Sequence, residues 1–182
     1  MIEFPIGESG QILVMSDCVL RHFDSHRQVR AWHREAGGQL FARFEESRII
    51  VEEATGPRRG DRRGRMLYLP DRAAERLEIE DRFRLGLHFV GDWHTHPERT
   101  PHPSRRDIES IGESVLKSSH TLNGFILVVV GRAKPPEGLC MLLHDGRNSS
   151  ILNPVSLARF SSNLSPVTKD EFGPTCLERE AE

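Results

Sequence analysis

The sequence has few cysteines and no long apolar segment. Its 182 residues contain only three cysteines, Cys18, Cys140 and Cys176, which lie far apart. This odd number and wide spacing argue against a disulfide framework or a zinc knuckle and favour a reducing compartment. No apolar run approaches the roughly 20 residues of a membrane-spanning helix, and the N-terminus lacks the basic start and apolar run of a secretory signal. We therefore expect a cytoplasmic protein without a membrane partner.

An excess of charge of one sign is also lacking. The 25 lysines and arginines nearly balance the 27 acidic residues, which gives a formal net charge of -2. This balance provides no general attraction to nucleic acid, so a nucleic-acid partner is not expected. The length fits a single domain, predicted to span residues 1–160. Residues 161–182 have little periodicity and are predicted to be a mobile C-terminal tail.

Hydrophobic periodicity predicts both helices and strands. Three helices are predicted: from Asp17 to about Arg30, from Pro70-Asp71 to before Leu85, and around Ile108, Ile111 and Val115. Five strands are predicted: Gln39 to Phe44 and Arg48 to Ala54 as a hairpin, Leu85 into Trp93, Phe125 to Val130, and Leu139 to Leu143. The continuously apolar run Phe125 to Val130 is typical of a strand covered on both faces, near the centre of a sheet.

The segment HTHPERTPHPSRRD, residues 94–107, contains the most informative pattern. Because residues two apart on a strand share a face, His94 and His96 can point towards one ion. Such a pair also occurs where histidines merely pack or lie on the surface. Ser104 and Asp107 match a capping box at the start of the third helix. A carboxylate in that first turn can still face a cleft and act as a third ligand.

Two histidines and one carboxylate are the ligand types of a catalytic zinc, whereas a structural site would more often use cysteine. One zinc ion per chain is therefore predicted. Hydrolysis of an amide also requires a group that accepts and returns a proton. Glu35, in the segment EAGGQL, is the candidate, because the following glycines allow close backbone approach at the start of a strand. By itself, Glu35 could be an ordinary surface glutamate.

The complete pattern resembles the JAMM signature of the MPN+ metallopeptidases. The signature is His-x-His, seven residues, Ser, two residues and Asp, and every position matches. The resemblance covers roughly residues 17–153 in element order. It implies that His94, His96 and Asp107 hold zinc, that Glu35 is the catalytic acid/base, and that Ser104 stabilises the oxyanion. It also implies an α+β fold with a curved, mostly antiparallel sheet flanked by helices.

The resemblance further implies a substrate class. Members of this family commonly cut the bond after the C-terminal glycine of ubiquitin or ubiquitin-like proteins, and compact bacterial members often accompany activating and conjugating enzymes. Some of these systems belong to antiviral defence. The hypothesis is therefore a zinc-dependent isopeptidase or peptidase that performs deconjugation or precursor processing. The alternatives are a hydrolase acting on a peptide or sulfur-carrier adduct and a non-catalytic MPN scaffold.

Several other residues have simpler interpretations. Trp93 should point away from the histidines into the core, and Cys140 should be a small core residue. His102 is expected to be solvated, although it could serve as an alternative ligand or touch substrate. The glycine-rich loop 56–65 carries five arginines and is predicted to be solvated, with an acidic protein surface, a substrate tail or nucleic acid as alternative partners. Those arginines are Arg58, Arg59, Arg62, Arg63 and Arg65.

Overall fold

The computed structural model describes residues 1–155, which form an α+β fold with ten strands and three helices. The strands are β1 (Ile2–Pro5), β2 (Ile12–Met15), β3 (Gly37–Glu45), β4 (Arg48–Ala54), β5 (Arg62–Arg63), β6 (Tyr68–Leu69), β7 (His88–Thr95), β8 (Phe125–Val130), β9 (Leu139–His144) and β10 (Ser149–Leu152). The helices are α1 (Asp17–His26), α2 (Arg72–Arg84) and α3 (Arg105–Lys117). The predicted mobile tail, 161–182, lies outside the described residues, so it stays a prediction.

Eight strands form one sheet in the order β1-β2-β4-β3-β7-β8-β9-β10. Its pairings are antiparallel except for β2 with β4 and β7 with β8, which confirms the expected mostly antiparallel sheet. The short strands β5 and β6 pair separately as a ribbon between β4 and α2. The predicted hairpin is β3 with β4.

The unit β7-α3-β8 carries most of the predicted site. Parallel strands require a crossover connection, and α3 provides it between β7 and β8. Ser104 is the N-cap of α3, as predicted, and its side chain accepts a hydrogen bond from the Asp107 N–H. The buried residues Ile111 and Val115 pack on the sheet beside Leu127. The end of β7 and the start of α3 are thereby held together.

Strand β8 is buried on both faces, as its apolar run predicts. Ile126, Val128 and Val130 belong to the core cluster that includes α1, and the alternate residues pack under α3. Trp93 also belongs to the α1 cluster, with 1% of its surface exposed, and its indole N–H donates to the Thr55 carbonyl at 2.8 Å. The predicted core position of Trp93 is confirmed. Cys140 packs against the second cluster, also as predicted.

Two predicted boundaries are wrong. Helix α1 ends at His26, because Arg27 has an extended backbone. Leu85 does not begin a strand: it caps α2 and is 70% exposed. Gly86, with φ of +77°, follows as the left-handed residue of a helix C-terminus, and the Leu87 N–H donates back to the Arg82 carbonyl. Strand β7 therefore starts at His88. Five strands of the structure are not among those predicted: β1, β2, β5, β6 and β10.

The arginine-rich loop is less solvated than predicted. The Arg58 side chain is 8% exposed, and its guanidinium forms a two-pronged contact with Glu78. The Arg63 guanidinium donates to the Glu35 carbonyl, and that of Arg65 donates to the Ala31 carbonyl at 2.7 Å. Each guanidinium group has five N–H donors. Those of Arg58 reach an acceptor on α2, and those of Arg63 and Arg65 reach carbonyls of the segment before β3. Arg59 and Arg62 are exposed, as predicted.

No helix within residues 1–155 combines the length and the apolar character needed to cross a membrane.

Candidate metal centre and catalytic cleft

Strand β7 places the two histidines of the motif on one face. His94 lies in the strand and His96 follows its last residue, with the His96 N–H donating to the Val130 carbonyl at 2.9 Å. Thr95, between them, points into the core and is fully buried. Its hydroxyl accepts the Ala36 N–H at 3.0 Å. The alternation of the extended chain thus turns both imidazoles outward together, as the spacing predicts.

The capping box of α3 places the carboxylate. The Asp107 N–H donates to the Ser104 hydroxyl at 3.2 Å, and the Ser104 N–H donates to Asp107 Oδ2 at 2.7 Å. The same Oδ2 lies 3.4 Å from His94 Nε2 and 3.5 Å from His96 Nε2. The two Nε2 atoms are 3.0 Å apart. The cap and the proposed ligand role therefore use the same aspartate without conflict.

These distances fit a small tetrahedral cation. With metal–ligand distances of about 2.0 to 2.1 Å, tetrahedral angles separate neighbouring ligand atoms by roughly 3.3 to 3.4 Å. The observed separations of 3.0, 3.4 and 3.5 Å lie close to this value. Within residues 1–155, the geometry thus brings together one group of side chains that could bind a metal: His94, His96 and Asp107.

The electrostatics also favour positive charge at this point. Burial acts to raise the pKa of Asp107, but hydrogen bonds with the imidazoles of His94 and His96 hold that pKa well below its usual range. Burial acts to lower the pKa of His96, but Asp107 and Glu35 outweigh it and leave the pKa raised. The negative groups of the site therefore stabilise a cation placed between them.

Glu35, which precedes His94 by 59 positions in sequence, reaches the same cleft. It is 7% exposed and lines a cavity of about 560 Å³ together with the two histidines, Ser104 and Asp107. Burial is the main cause that raises the pKa of Glu35 to about 7; Asp107 adds to the effect and His96 opposes it. A carboxyl group with this pKa can both accept and donate a proton near neutral pH.

The glycines after Glu35 are required by close packing. A Cβ atom on Gly38 would lie 1.9 Å from the Thr55 carbonyl oxygen, and one on Gly37 would lie 2.5 Å from the Tyr68 ring. The start of strand β3 therefore packs directly against the Thr55 backbone and the Tyr68 ring, as the glycine pair predicts. The Glu35 N–H is also fixed, since it donates to the Gly64 carbonyl at 2.7 Å.

Other acidic residues near this part of the sequence do not line the cleft. Glu52 pairs with Arg43, and Glu53 pairs with Arg82. Glu45 and Glu46, in the turn of the hairpin, are exposed. Of these five glutamates, Glu35 is thus the one that the fold brings to the histidines.

The structure adds a residue that the sequence interpretation did not select. Asp92 lines the cleft from β7, and burial together with Glu75 raises its pKa to about 7. The signal was present, because Asp92 precedes His94 by two positions and must share its face. His102 also lines the cleft; it is exposed, as expected, and does not belong to the metal-binding group.

Comparison with known proteins agrees with this fold. Residues 20–144 match the family of prokaryotic homologues of the JAB domain, and the chain belongs to that family. The expected kinship with JAMM-type, stand-alone bacterial deubiquitinase-like proteins is thereby confirmed.

Similar curated proteins are known from several bacteria. A protein of Escherichia coli strain TW11681 named CD-NTase/cGAS isopeptidase is 29% identical over 126 residues, or 68% of this chain and 78% of that protein. A protein of the same name from Vibrio cholerae is 28% identical over 69% of this chain and 80% of its own length. The solution structure of protein DSY2949 from Desulfitobacterium hafniense matches with a TM-score of 0.56 at 18% identity, covering 76% of this chain and 88% of that one. This last likeness supports the fold alone.

Proposed function

We propose that this protein is a zinc-dependent isopeptidase that hydrolyses the amide bond after the C-terminal glycine of a ubiquitin-like protein. The reaction either releases that protein from a target or processes its precursor. The proposal rests on the convergence in one cleft of a buried carboxyl group and three side chains spaced for one small cation. The name isopeptidase, given to the relatives, supports hydrolysis of a lysine-linked amide over other hydrolytic reactions.

The ligands proposed for zinc are His94, His96 and Asp107, one ion per chain. When bound there, zinc supplies a Lewis acid that polarises the scissile carbonyl and lowers the pKa of water. Glu35 takes the proton from the attacking water and delivers it to the departing lysine amine, a double role that its pKa near 7 suits. The catalytic domain is proposed to span residues 1–160.

Ser104 is proposed to stabilise the oxyanion. Its hydroxyl oxygen accepts the Asp107 N–H in the helix cap. A hydroxyl group can accept and donate at once, so its hydrogen can still donate to a substrate oxygen. A positioned donor of this kind stabilises the negative charge that develops on a carbonyl oxygen in the transition state.

The biological setting is proposed by likeness. The relatives are named for CD-NTase and cGAS, so a nucleotidyltransferase of that class is the proposed target of the conjugate. Activating and conjugating enzymes encoded in the same operon are the proposed further partners, in a bacterial antiviral defence system. A ubiquitin-like protein encoded nearby would be the substrate to test first.

Glu35→Gln tests the mechanism, because it removes the base while nearly preserving volume and hydrogen-bonding shape. Turnover of a conjugate joined through the terminal glycine should fall by about a hundredfold or more. Zinc content and substrate affinity should remain unchanged. The matched control is Glu46→Gln, an exposed position outside the cleft, which should retain full turnover.

Two outcomes would contradict different parts of the proposal. Near-normal turnover by folded, zinc-loaded Glu35→Gln protein would show that another group is the base. A wild-type protein that binds zinc but cleaves no ubiquitin-like conjugate or precursor from its own operon would reject the substrate class and leave the metal assignment standing.

A further inference from the structure

Asp92 occupies the floor of the candidate cleft, next to the proposed metal ligands. Successive side chains of β7 alternate, so Asp92 shares the outward face with His94, and two residues along a strand correspond to about 6.5 to 7 Å. In the sheet, Asp92 lies between Gln39 of β3 and Leu127 of β8. Because Asp92, His94 and His96 line the same cavity, a substrate bound at the histidines can also reach the Asp92 carboxyl group.

Within residues 1–155, the carboxylate of Asp92 takes part in neither a hydrogen bond nor an ion pair, although cations stand nearby. Arg72 donates to Glu75 at 2.8 Å, and Arg58 is bound to Glu78. Both guanidinium groups therefore already neutralise other carboxylates. Glu75, Glu78 and Asp92 lie beside these two cations, and of the three carboxyl groups Asp92 is the one without a direct partner in the part of the chain that the structure describes.

Asp92 is not placed to orient the metal ligands. His94 Nε2 lies 3.4 Å from Asp107 Oδ2, and within residues 1–155 no hydrogen bond or ion pair joins His94 to Asp92. The Asp92 side chain is half-buried and faces the cleft, so its carboxyl group is free to receive a partner from a bound molecule.

The walls around Asp92 indicate what that molecule carries. Leu127, the neighbour of Asp92 in the pairing of β7 with β8, lines the cleft, and so do Ile111, Leu69 and Pro70. A cleft that offers both apolar side chains and a carboxyl group suits a side chain with a methylene stem and a cationic tip. Lysine and arginine are the side chains of this kind.

We infer that Asp92 is a specificity-determining residue that receives a lysine or arginine side chain of the substrate close to the scissile bond. This inference rests on the proposed function. The cationic side chain can come from the ubiquitin-like tail, before its terminal glycine, or from the target, beside the modified lysine. Both sources present the same chemistry to Asp92.

Binding to two peptide series tests the inference in the non-hydrolysing Glu35→Gln background. One series carries a single arginine at each of four positions before a C-terminal glycine. The other carries it on either side of a lysine whose ε-amino group is acylated by glycine. In each peptide the arginine is compared with citrulline, which has nearly the same shape and no charge. Fluorescence anisotropy gives the dissociation constants.

At one position, arginine should bind about tenfold more tightly than citrulline, and the series in which this occurs identifies the source. Asp92→Asn should remove the difference and leave citrulline affinity unchanged, whereas Asp92→Glu should retain part of it. Glu98→Gln, which removes an exposed carboxylate at the rim of the same cleft, should leave the preference intact. Thermal unfolding and zinc content check that each variant is folded.

Equal binding of arginine and citrulline at every position, or a preference that survives Asp92→Asn, would overturn the inference. The outcome is separable from that of the proposed function. If conjugates are cleaved without a charge preference, the inference fails and the function stands. If a charge preference depends on Asp92 but no conjugate is cleaved, the function fails and the cationic subsite stands.

Discussion

The buried arginine of the loop before α2 should be a major source of stability. Arg58 Nε donates to Glu78 at 2.9 Å, and its Nη2 donates to the other carboxylate oxygen at 2.6 Å. A third acceptor, the Gln39 side-chain oxygen, lies 3.1 Å from Nη2. Glu75, whose side chain is 6% exposed, lies 3.6 Å from Nη1. Arg58→Met keeps most of the apolar stem and removes all of these contacts.

The cost follows from the carboxylates left behind. Removing one partner of a buried ion pair typically costs about 3 to 5 kcal/mol, because the other charge stays buried without compensation. Glu78 is 22% exposed and Glu75 keeps its ion pair with Arg72, so we expect Arg58→Met to lower the free energy of unfolding by about 3 kcal/mol, the lower end of this range. Arg59→Met is the matched control: the neighbouring arginine is exposed, so its loss should change stability by no more than about 0.5 kcal/mol.

Urea denaturation measures the difference. With a slope of about 2 kcal/mol per molar urea, typical of small proteins, Arg58→Met should lower the midpoint by roughly 1.5 M. Equal midpoints for the Arg58 and Arg59 variants would refute the reasoning, since the buried cluster would then contribute nothing.

The stability difference between wild type and Arg58→Met should become smaller at acidic pH. Burial acts to raise the pKa of Glu78, but hydrogen bonds from Arg58 lower it overall. A depressed pKa in the folded state contributes stability that is present above the ordinary value of 4.5 and is lost as the pH falls through the folded value. The gap between wild type and Arg58→Met should therefore narrow below about pH 4.5. A gap that stays constant on acidification would show that its origin is packing and not charge.

Three further predictions concern the site. Asp107→Asn should lose most of its zinc in elemental analysis, whereas His102→Asn should retain about one ion per chain; equal zinc in both would reject Asp107 as a ligand. Ser104→Ala should cost about 1 kcal/mol in thermal unfolding and, in folded zinc-loaded protein, about a hundredfold in turnover; a loss of stability alone would leave Ser104 as a cap only. Gly38→Ala should destabilise by about 1 to 3 kcal/mol or more, because its Cβ would meet the Thr55 carbonyl, and a wild-type melting temperature would contradict this.

The parts of the fold that were predicted correctly carry local signals. A few consecutive residues are enough to identify the apolar run of β8 and the Ser104 cap of α3. The proposed metal ligands are also close in sequence, since a segment of 14 residues contains His94, His96 and Asp107. Such short segments fix their own geometry through alternation and capping. These elements can therefore be predicted from their own residues, without knowledge of the segments that pack against them.

The predictions are wrong where packing between distant segments, or a single backbone turn, determines the structure. The alternation of Leu85, Leu87 and Phe89 is real, but Gly86 ends α2 within it, so the strand starts later. The parallel pairing of β2 with β4 joins segments separated by α1 and β3 and has no local signature. The sequence does not distinguish Arg58 from its neighbour Arg59; the position of α2 determines that Arg58 is the one that meets the buried carboxylate of Glu75.

The candidate site also combines residues positioned by local structure with one positioned by packing between distant segments. The proposed metal ligands are positioned by one strand end and one helix start, whereas the position of Glu35 depends on the ribbon of β5 and β6. That ribbon contacts Glu35 through the Arg63 guanidinium and the Gly64 carbonyl. It is tied to α2 by Asp61, which accepts the Asp71 N–H at 2.8 Å. We therefore expect the proposed metal binding to persist when the ribbon is disturbed, while the proposed proton transfer by Glu35 should be lost, because Arg63 and Gly64 hold the Glu35 backbone.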